Sequence, residues 1–480
     1  MIGSVAQRAG AAMRWRAAQL AGVEAIYFLR LLILAKLLAP EAFGLLAIAS
    51  IAMGILLRLS DVGMIPALVH RRDATPEQHD AAWTVGLTRS AFVTLALVVT
   101  APFIAGLFSE PRATPIIQAL AVRPFIDSAA SIGTARLIRE LRFRALAYIY
   151  IPGAIMDLLV AVVSAPTIGV WALVAGALAG SVTTTSLSYV FAPHRPTLRF
   201  KWAEIAPLVN YGRWVLAMGI VTLAGTMATQ LAVSRLLGAA ALGLFFLAVK
   251  VAYLPIEAAN SVVGAVAFPM FASVREDAKA SERAFTTVLT GLWLLLLPVY
   301  ALIFALATQL ESALGPRWSG TATMVQILSV AGVASIFGEV VSRLLMGQGH
   351  ARGAFAIDAL NTAVILLVLL PCLRLLQVNG AAVAWLLGSA ATLTLSAGWL
   401  RRMLPGSFAA ARDRLLAAPV IALVAAGAAS AVAAPLEGMI GLIAGGLAGI
   451  AAAALVLWGM EAWLGLQLQE FWNIVRRGDE

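Results

Sequence analysis

Apolar runs of about twenty residues follow one another along almost the whole chain, separated by short segments that carry charged and turn-forming side chains. A run of this length crosses the hydrocarbon core of a bilayer as one α-helix. Charged residues make up 12% of the chain, about half of the roughly 25% found in soluble globular domains. The sequence therefore predicts an all-α integral membrane protein without a large domain outside the membrane.

The pattern predicts about 14 transmembrane helices. They are expected near 16–38, 42–68, 82–108, 113–134, 146–166, 169–192, 205–236, 240–270, 284–308, 318–342, 353–373, 379–400, 414–433 and 438–464. The first residues resemble a signal n-region, but the run that follows contains Glu24 and Arg30 and has no small-residue cleavage site. We expect this segment to be retained, with its start along the membrane surface.

Basic side chains are distributed unevenly over the predicted loops. With both termini on one side, 23 Lys and Arg residues fall on that side, 5 on the opposite side and 6 inside spans. Because Lys and Arg gather in cytoplasmic loops, the termini of this multi-pass protein are predicted to lie in the cytoplasm. The orientation in the membrane accounts for the net charge of +10, so a nucleic-acid partner is not predicted.

Cys372 is the single cysteine, so an internal disulfide is excluded.

The sequence contains an internal repeat. AKLLAPEAFGL at 35–45 matches SRLLGAAALGL at 234–244, and QALAV at 118–122 matches QILSV at 326–330. Each half holds six predicted spans, so both copies cross the membrane in the same direction, as in transporters built from parallel repeats. The predicted domains are a six-helix lobe over 1–195, a second six-helix lobe over 196–402, and two additional helices with a cytoplasmic tail over 403–480.

The two additional helices are rich in small residues. Gly441, Gly445 and Gly449 recur at four-residue spacing, which permits close contact between helices. We predict that they pack against the rest of the bundle; a homodimer contact and a groove for a lipid tail are the alternatives.

Motifs of ATP-driven pumps and common hydrolases are missing from the sequence. There is no G-x-x-x-x-G-K-[ST] loop, no G-x-S-x-G elbow and no H-E-x-x-H. The four histidines lack paired ligand spacing, so neither a metal nor a cofactor is predicted. The connections on the outer side are predicted to be short, which disfavours an enzyme with an external sugar-binding domain. We predict that the protein is not an enzyme.

Charged side chains inside a span cost about 2.5–3.5 kcal/mol each on insertion scales, so they mark a protein interior or a water-filled cavity. Arg30, Arg123, Arg213 and Lys250 lie deep in four different predicted spans. A cavity between the lobes would gather them into a positive field, and the planar fork of Arg matches phosphate oxygens. These four are the predicted substrate-binding cations. Such a field alone does not separate a lipid diphosphate from an anionic drug.

Acidic residues accompany these cations as coupling or charge-balancing groups: Asp61, Asp127, Glu257 and Glu339. Two hypotheses remain open for them, a response to protons or sodium and simple neutralisation of the basic groups. Spacing also permits local ion pairs, because Arg123 and Asp127 are i,i+4 and Lys250 and Glu257 are two turns apart. Asp157 has no partner on its own helix and is left outside the predicted site.

Five stretches of the chain form a recognisable set. They are AKLLAPEAFGLLAIA at 35–49, SDVG at 60–63, ALVHRRDATPEQ at 67–78, RELRF at 139–143 and GVWALVAG at 169–176. Together they resemble the Wzx/WzxC-like oligosaccharide flippases of the polysaccharide transporter family. That family belongs to the superfamily that also contains multidrug and toxin extruders and the peptidoglycan lipid flippase.

The resemblance implies an inner-membrane flippase that moves an oligosaccharide linked to undecaprenyl diphosphate towards the periplasm, for O-antigen, capsule or exopolysaccharide export. By the same likeness, Asp61 occupies the family's acidic position, and Arg30 is similar in placement to the cavity arginines of the peptidoglycan lipid flippase. Alternating access is the expected mechanism. The expected partners are the lipid-linked oligosaccharide, membrane lipids, and the polysaccharide polymerase with its export machinery. The alternatives are a cation-coupled multidrug exporter of this superfamily and a membrane-bound polysaccharide polymerase or ligase.

Overall fold

The fold was analysed in a computed structural model. The structure describes residues 2–60, 76–194, 196–197, 213–274, 277–404, 407–436 and 438–459. Two compact units divide between Ile220 and Val221. Within the described ranges the secondary structure is entirely helical, which confirms the predicted all-α class.

Within the described ranges, eight helices precede the division between the units. They are α1 (Ile2–Leu37), α2 (Pro40–Ser60), α3 (Pro76–Leu107), α4 (Ala113–Leu120), α5 (Arg123–Ser128), α6 (Gly133–Arg139), α7 (Phe143–Ile168) and α8 (Trp171–Phe191). The helices that follow begin close to the division. They are α9 (Arg213–Ser273), α10 (Ala278–Ala305), α11 (Ala307–Leu314), α12 (Thr321–Gly347), α13 (Ala351–Leu376), α14 (Asn379–Met403), α15 (Ser407–Ala433) and α16 (Gly438–Gly459), with a 3₁₀ turn at Pro316–Trp318 between α11 and α12.

Eleven helices or helix segments in the described part of the chain are long and apolar enough to cross a membrane. A helix satisfies its backbone hydrogen bonds internally, which is the requirement for a segment surrounded by lipid. Large apolar side chains such as Val163, Leu367 and Trp458 are exposed on these helices, as expected for surfaces in contact with lipid. The chain is therefore a multi-pass membrane protein. The number of fourteen helices stays a prediction.

The internal repeat recurs in the helix boundaries. Phe143 begins α7 and Ala351 begins α13, 208 residues later, and the same separation joins Trp171 at the start of α8 to Asn379 at the start of α14. Further towards the N-terminus the separation is 199 residues, as in the matched sequences. There Ala39, between α1 and α2, is equivalent to Gly238, which divides α9 into two arms.

Gly238 breaks α9 because its backbone adopts φ +85°, a conformation that glycine accepts without steric cost. The two spans predicted over 205–236 and 240–270 are therefore the arms of one helix interrupted at this residue. Side-chain contacts repeat as well. The amide of Gln118 donates to the carbonyl of Val98 at 3.3 Å, and the amide of Gln326 donates to that of Phe304 at 3.4 Å.

The prediction of one continuous span over 113–134 is wrong. This part of the chain forms the three short helices α4, α5 and α6, whereas the equivalent segment of the second half is the continuous helix α12. Side chains of α8 satisfy backbone groups that the breaks leave unpaired: Tyr189 donates to the carbonyl of Ala129 at 2.7 Å, and the Ser188 hydroxyl accepts from the backbone of Ser131 at 2.8 Å. A broken helix is tolerated inside a membrane protein on this condition.

The chain that leaves α8 is held against α3. His194 Nε2 lies 2.8 Å from Asp80 Oδ1, and the hydroxyl of Thr197 donates to the same carboxylate. The predicted boundary between the lobes, at residue 195, falls inside this contact. The described structure forms two units, and the division into three domains stays a prediction.

The glycines of α16 pack closely against α15, as predicted. A Cβ atom at Gly445 would lie 2.8 Å from the carbonyl oxygen of Ala429, and one at Gly449 would lie 2.9 Å from that of Ala425. The predicted small-residue contact within the bundle is thus confirmed, and both additional helices belong to the second unit.

A second close contact joins α7 to α8. A Cβ atom at Gly180 would lie 2.8 Å from Cβ of Asp157 and 2.9 Å from the carbonyl oxygen of Gly153. At Gly176 it would lie 2.6 Å from Oδ1 of Asp157. The two glycines therefore make the space that the aspartate occupies.

We expect Gln377→Gly to stabilise the protein by about 1 kcal/mol. Gln377 follows α13 with φ +52°, where the equivalent residue after α7 is Gly169 with φ +56°. A side chain is unfavourable in this conformation and glycine is not. The midpoint of thermal unfolding in detergent measures the effect. Leu375→Gly, inside α13 on an exposed position, is the matched control and should destabilise; a loss of stability in both variants would contradict the argument.

We expect Gly180→Ala to destabilise the protein by about 1–3 kcal/mol, because the added methyl group meets backbone and Cβ atoms that have no room to move. Gly86→Ala on α3 is the control, since nothing lies within 4 Å of a Cβ atom there. It should be neutral or stabilising. Equal behaviour of the two variants in thermal unfolding would show that the α7–α8 contact is not tight.

Candidate functional site

The structure brings two of the four predicted cations together. Arg30 on α1 and Arg123 on α5 lie in the first unit and within electrostatic range of each other. Lys250 lies in the second unit, on α9. For Arg213 only the helical backbone is described, and Asp61 lies outside the described residues.

Arg30 forms an ion pair with Asp157 of α7. Its Nε atom lies 2.7 Å from Oδ1 of the carboxylate, and its Nη2 atom donates to the carbonyl oxygen of Leu173 on α8 at 3.1 Å. The side chains are 15% and 4% exposed. Three helices therefore meet at one guanidinium group. Removing one partner from such a buried pair leaves an uncompensated charge, which destabilises by about 3–5 kcal/mol.

Arg123 forms a more open pair with Asp127, one turn further along α5. The nitrogen and oxygen atoms are 3.5 Å apart, and the side chains are 37% and 49% exposed. Both residues lie within electrostatic range of Tyr27 on α1. We name the group formed by Tyr27, Arg30, Arg123, Asp127 and Asp157 the N-terminal charge cluster.

Formal charges cancel within the N-terminal charge cluster, because two arginines face two aspartates. Each guanidinium nevertheless presents several N–H donors in a plane, an arrangement that matches the oxygen atoms of an anion. The cluster holds one pair near the surface of the unit and one pair deep inside it.

The remaining predicted charges form local pairs in the second unit. Lys250 lies 3.9 Å from Glu257, with both side chains exposed, and Glu339 lies 2.5 Å from Arg343. Arg343 lies one residue past the predicted span 318–342. The structure places it inside α12, which continues to Gly347 because the apolar pattern extends past the predicted end. The local pairing expected for Lys250 and Glu257 is confirmed, as is that of Arg123 and Asp127.

The positions of the second half that are equivalent to the N-terminal charge cluster carry neutral side chains. At separations of 199 residues for α1 and 208 for the later helices, each charged position has a neutral equivalent. Arg30 corresponds to Thr229, Arg123 to Ala331, Asp127 to Ser335 and Asp157 to Ile365. Gly388 approaches Ile365 as Gly180 approaches Asp157, with a Cβ atom 2.7 Å from the Ile365 side chain. Because the same packing forms around neutral side chains, the charges are not required by the fold.

Sequence reasoning missed Asp157 because its partner lies on another helix. A usable signal was present: Gly176 and Gly180, at four-residue spacing on the following span, mark a close approach that encloses a side chain. The carbonyl of Leu173 carries no signal in the sequence. Among the residues that the structure describes, no group of three His, Cys, Asp or Glu side chains is placed to hold a metal ion.

Comparison with solved structures identifies the fold. The lipid II flippase MurJ in an inward closed conformation matches with a TM-score of 0.68 and 13% identity, over 92% of this chain and 97% of that one. A multidrug resistance MATE family transporter in an inward-facing conformation matches with a TM-score of 0.66 and 16% identity, over 80% of this chain and 95% of that one. At these identities the likeness concerns the fold alone, and it confirms the predicted transporter architecture.

Comparison of sequences identifies the family. The chain is 23% identical to the lipopolysaccharide biosynthesis protein WzxC of Escherichia coli (strain K12), over 73% of this chain and 72% of that protein. It is 24% identical to the succinoglycan biosynthesis transport protein ExoT of Rhizobium meliloti (strain 1021), over 60% of this chain and 61% of that protein. The family model described as "Polysaccharide biosynthesis protein" matches residues 33–323, more than half of the chain. The chain therefore belongs to this polysaccharide biosynthesis protein family.

Proposed function

We propose that the protein is a flippase that moves oligosaccharide units linked to undecaprenyl diphosphate from the cytoplasmic to the periplasmic leaflet of the bacterial inner membrane. The observation that carries the proposal is the N-terminal charge cluster, which sits among membrane helices and has neutral equivalents in the second half. Membership of a polysaccharide biosynthesis family supplies the class of substrate. Export of O-antigen, capsule or exopolysaccharide is the process served.

The substrate explains why a protein path is needed. A sugar headgroup in hydrocarbon leaves many hydroxyl groups without hydrogen bonds, each of which costs a few kcal/mol. We propose alternating access, in which the two halves rock while the sugars and the diphosphate cross in a hydrated path and the prenyl chain stays in lipid. Arg30 and Arg123 bind the diphosphate. Arg213 and Lys250 add positive charge in the second half, and Asp61, Asp127, Glu257 and Glu339 balance charge or couple transport to an ion.

The orientation of the chain is part of the same proposal. Both termini lie in the cytoplasm, supported by the excess of Lys and Arg on the terminus side, 23 against 5.

Polysaccharide polymerase and the export machinery act after the flippase as partners. The protein itself forms no glycosidic bond. Incubating the purified protein with radiolabelled lipid-linked sugars tests this last point, because a polymerase or ligase would yield a longer product.

We expect Arg30→Gln and Arg123→Gln each to reduce surface polysaccharide about ten-fold at equal protein level, since a hydrogen bond to a charged group contributes ~1.5–3 kcal/mol. The assay is quantification of cell-surface polysaccharide in a strain that depends on this protein. Arg112→Gln is the matched control, because Arg112 is an exposed arginine that pairs with Glu110, outside the cluster. Undiminished export in both cluster variants would defeat the proposal.

The fold likeness to a multidrug resistance transporter favours one alternative, a cation-coupled drug exporter. Overexpression in a drug-sensitive strain separates the two functions. The flippase proposal expects unchanged minimum inhibitory concentrations for cationic and anionic drugs, because the substrate is a carrier lipid. Resistance that disappears in Arg30→Gln, with surface polysaccharide unaffected, would favour the exporter instead.

A further inference from the structure

The ion pair between Arg30 and Asp157 leaves part of the guanidinium group available. The distance of 2.7 Å joins Nε to Oδ1, and neither atom has a hydrogen-bond partner of good geometry among the described residues. The Nη2 atom donates to Leu173, and the Nη1 atom forms no hydrogen bond with any described residue. Arg30 is therefore anchored and neutralised, yet it keeps a donor edge for a further acceptor.

A carboxylate and a phosphate offer a guanidinium the same kind of charge-assisted hydrogen bond. Asp157 thus occupies the position on Arg30 that a phosphate oxygen would take. Removal of the carboxylate without a replacement would leave an unpaired charge inside the unit, which is unfavourable in a membrane protein. Exchange of one anion for another avoids that state.

Comparison with the second half of the chain indicates that the Asp157 carboxylate is not needed for packing alone. Ile365 fills the position equivalent to Asp157, and Thr229 fills that of Arg30, where its hydroxyl accepts a hydrogen bond from Trp385 at 3.2 Å. The glycine contact forms around Ile365 without any charge. A flippase also needs a site that releases its substrate, so a permanent positive charge facing a diphosphate would be a disadvantage.

We propose that Asp157 is an internal counter-ion that competes with the substrate's diphosphate for Arg30. The diphosphate binds first at the exposed Arg123 and then displaces the carboxylate from Arg30. When the carboxylate returns to the guanidinium, it expels the anion. Asp157 therefore limits affinity and promotes release, acting on the substrate through Arg30. This inference rests on the proposed function.

The test measures the affinity of the purified protein in lipid nanodiscs for farnesyl diphosphate, with farnesol as the probe that lacks the anion. Two variants remove the charge: Asp157→Asn keeps the shape of the side chain, and Asp157→Ser is smaller and relieves the glycine contact. We expect either variant that still folds, shown by a cooperative thermal transition, to bind farnesyl diphosphate roughly ten-fold more tightly, the range typical of coupled sites. Farnesol binding should not change, and export in cells should fall because release is slow.

Asp80→Asn is the matched control, since Asp80 lies in the same unit and holds His194 and Thr197 rather than an arginine. It should leave the affinity for farnesyl diphosphate unchanged. Unaltered or weaker binding of the diphosphate by a folded Asp157 variant would overturn the counter-ion assignment. Failure of both Asp157 variants to fold would also overturn it, because the pair would then be structural. If the wild-type protein does not prefer farnesyl diphosphate to farnesol, the proposed function itself fails.

Discussion

Hydrocarbon does not tolerate an unpaired charge, and the first unit is organised around this constraint at Arg30. Asp157 neutralises the guanidinium only because α7 and α8 approach closely enough to enclose the carboxylate. Gly176 and Gly180 make that approach possible, and the carbonyl of Leu173 completes the contact from the same helix. The two glycines of α8 therefore determine where the buried ion pair between Arg30 and Asp157 can form.

The same helix also makes the broken segment before it possible. Tyr189 and Ser188 at the end of α8 bond to backbone groups freed where α5 ends and before α6 begins. The break shortens α5 to one turn and a half, with Arg123 and Asp127 on it and both partly exposed. One face of α8 therefore encloses the buried pair, while its end stabilises the segment that carries the open pair.

The sequence allowed the helical class, most spans, the repeat and the family to be predicted, because each depends on runs of residues or on local similarity. The break in the span over 113–134 could not be predicted. An apolar run has the same sequence pattern whether its backbone groups bond within one helix or to side chains of another helix. Asp157 was left out of the site for a related reason. Its partner Arg30 is 127 residues away in the chain, and only the folded structure places the two side chains 2.7 Å apart.

Tandem duplication gives this molecule a freedom that two identical subunits lack. A symmetric dimer presents every side chain twice, so a cationic residue introduced for an anion appears again at the related position. In a fused chain each copy diverges separately. Thr229 and Ile365 leave two equivalent positions in the second half uncharged, while their counterparts Arg30 and Asp157 form an ion pair. For the proposed substrate, which has one charged end, these charges are presented by one copy of the repeat and not by the other.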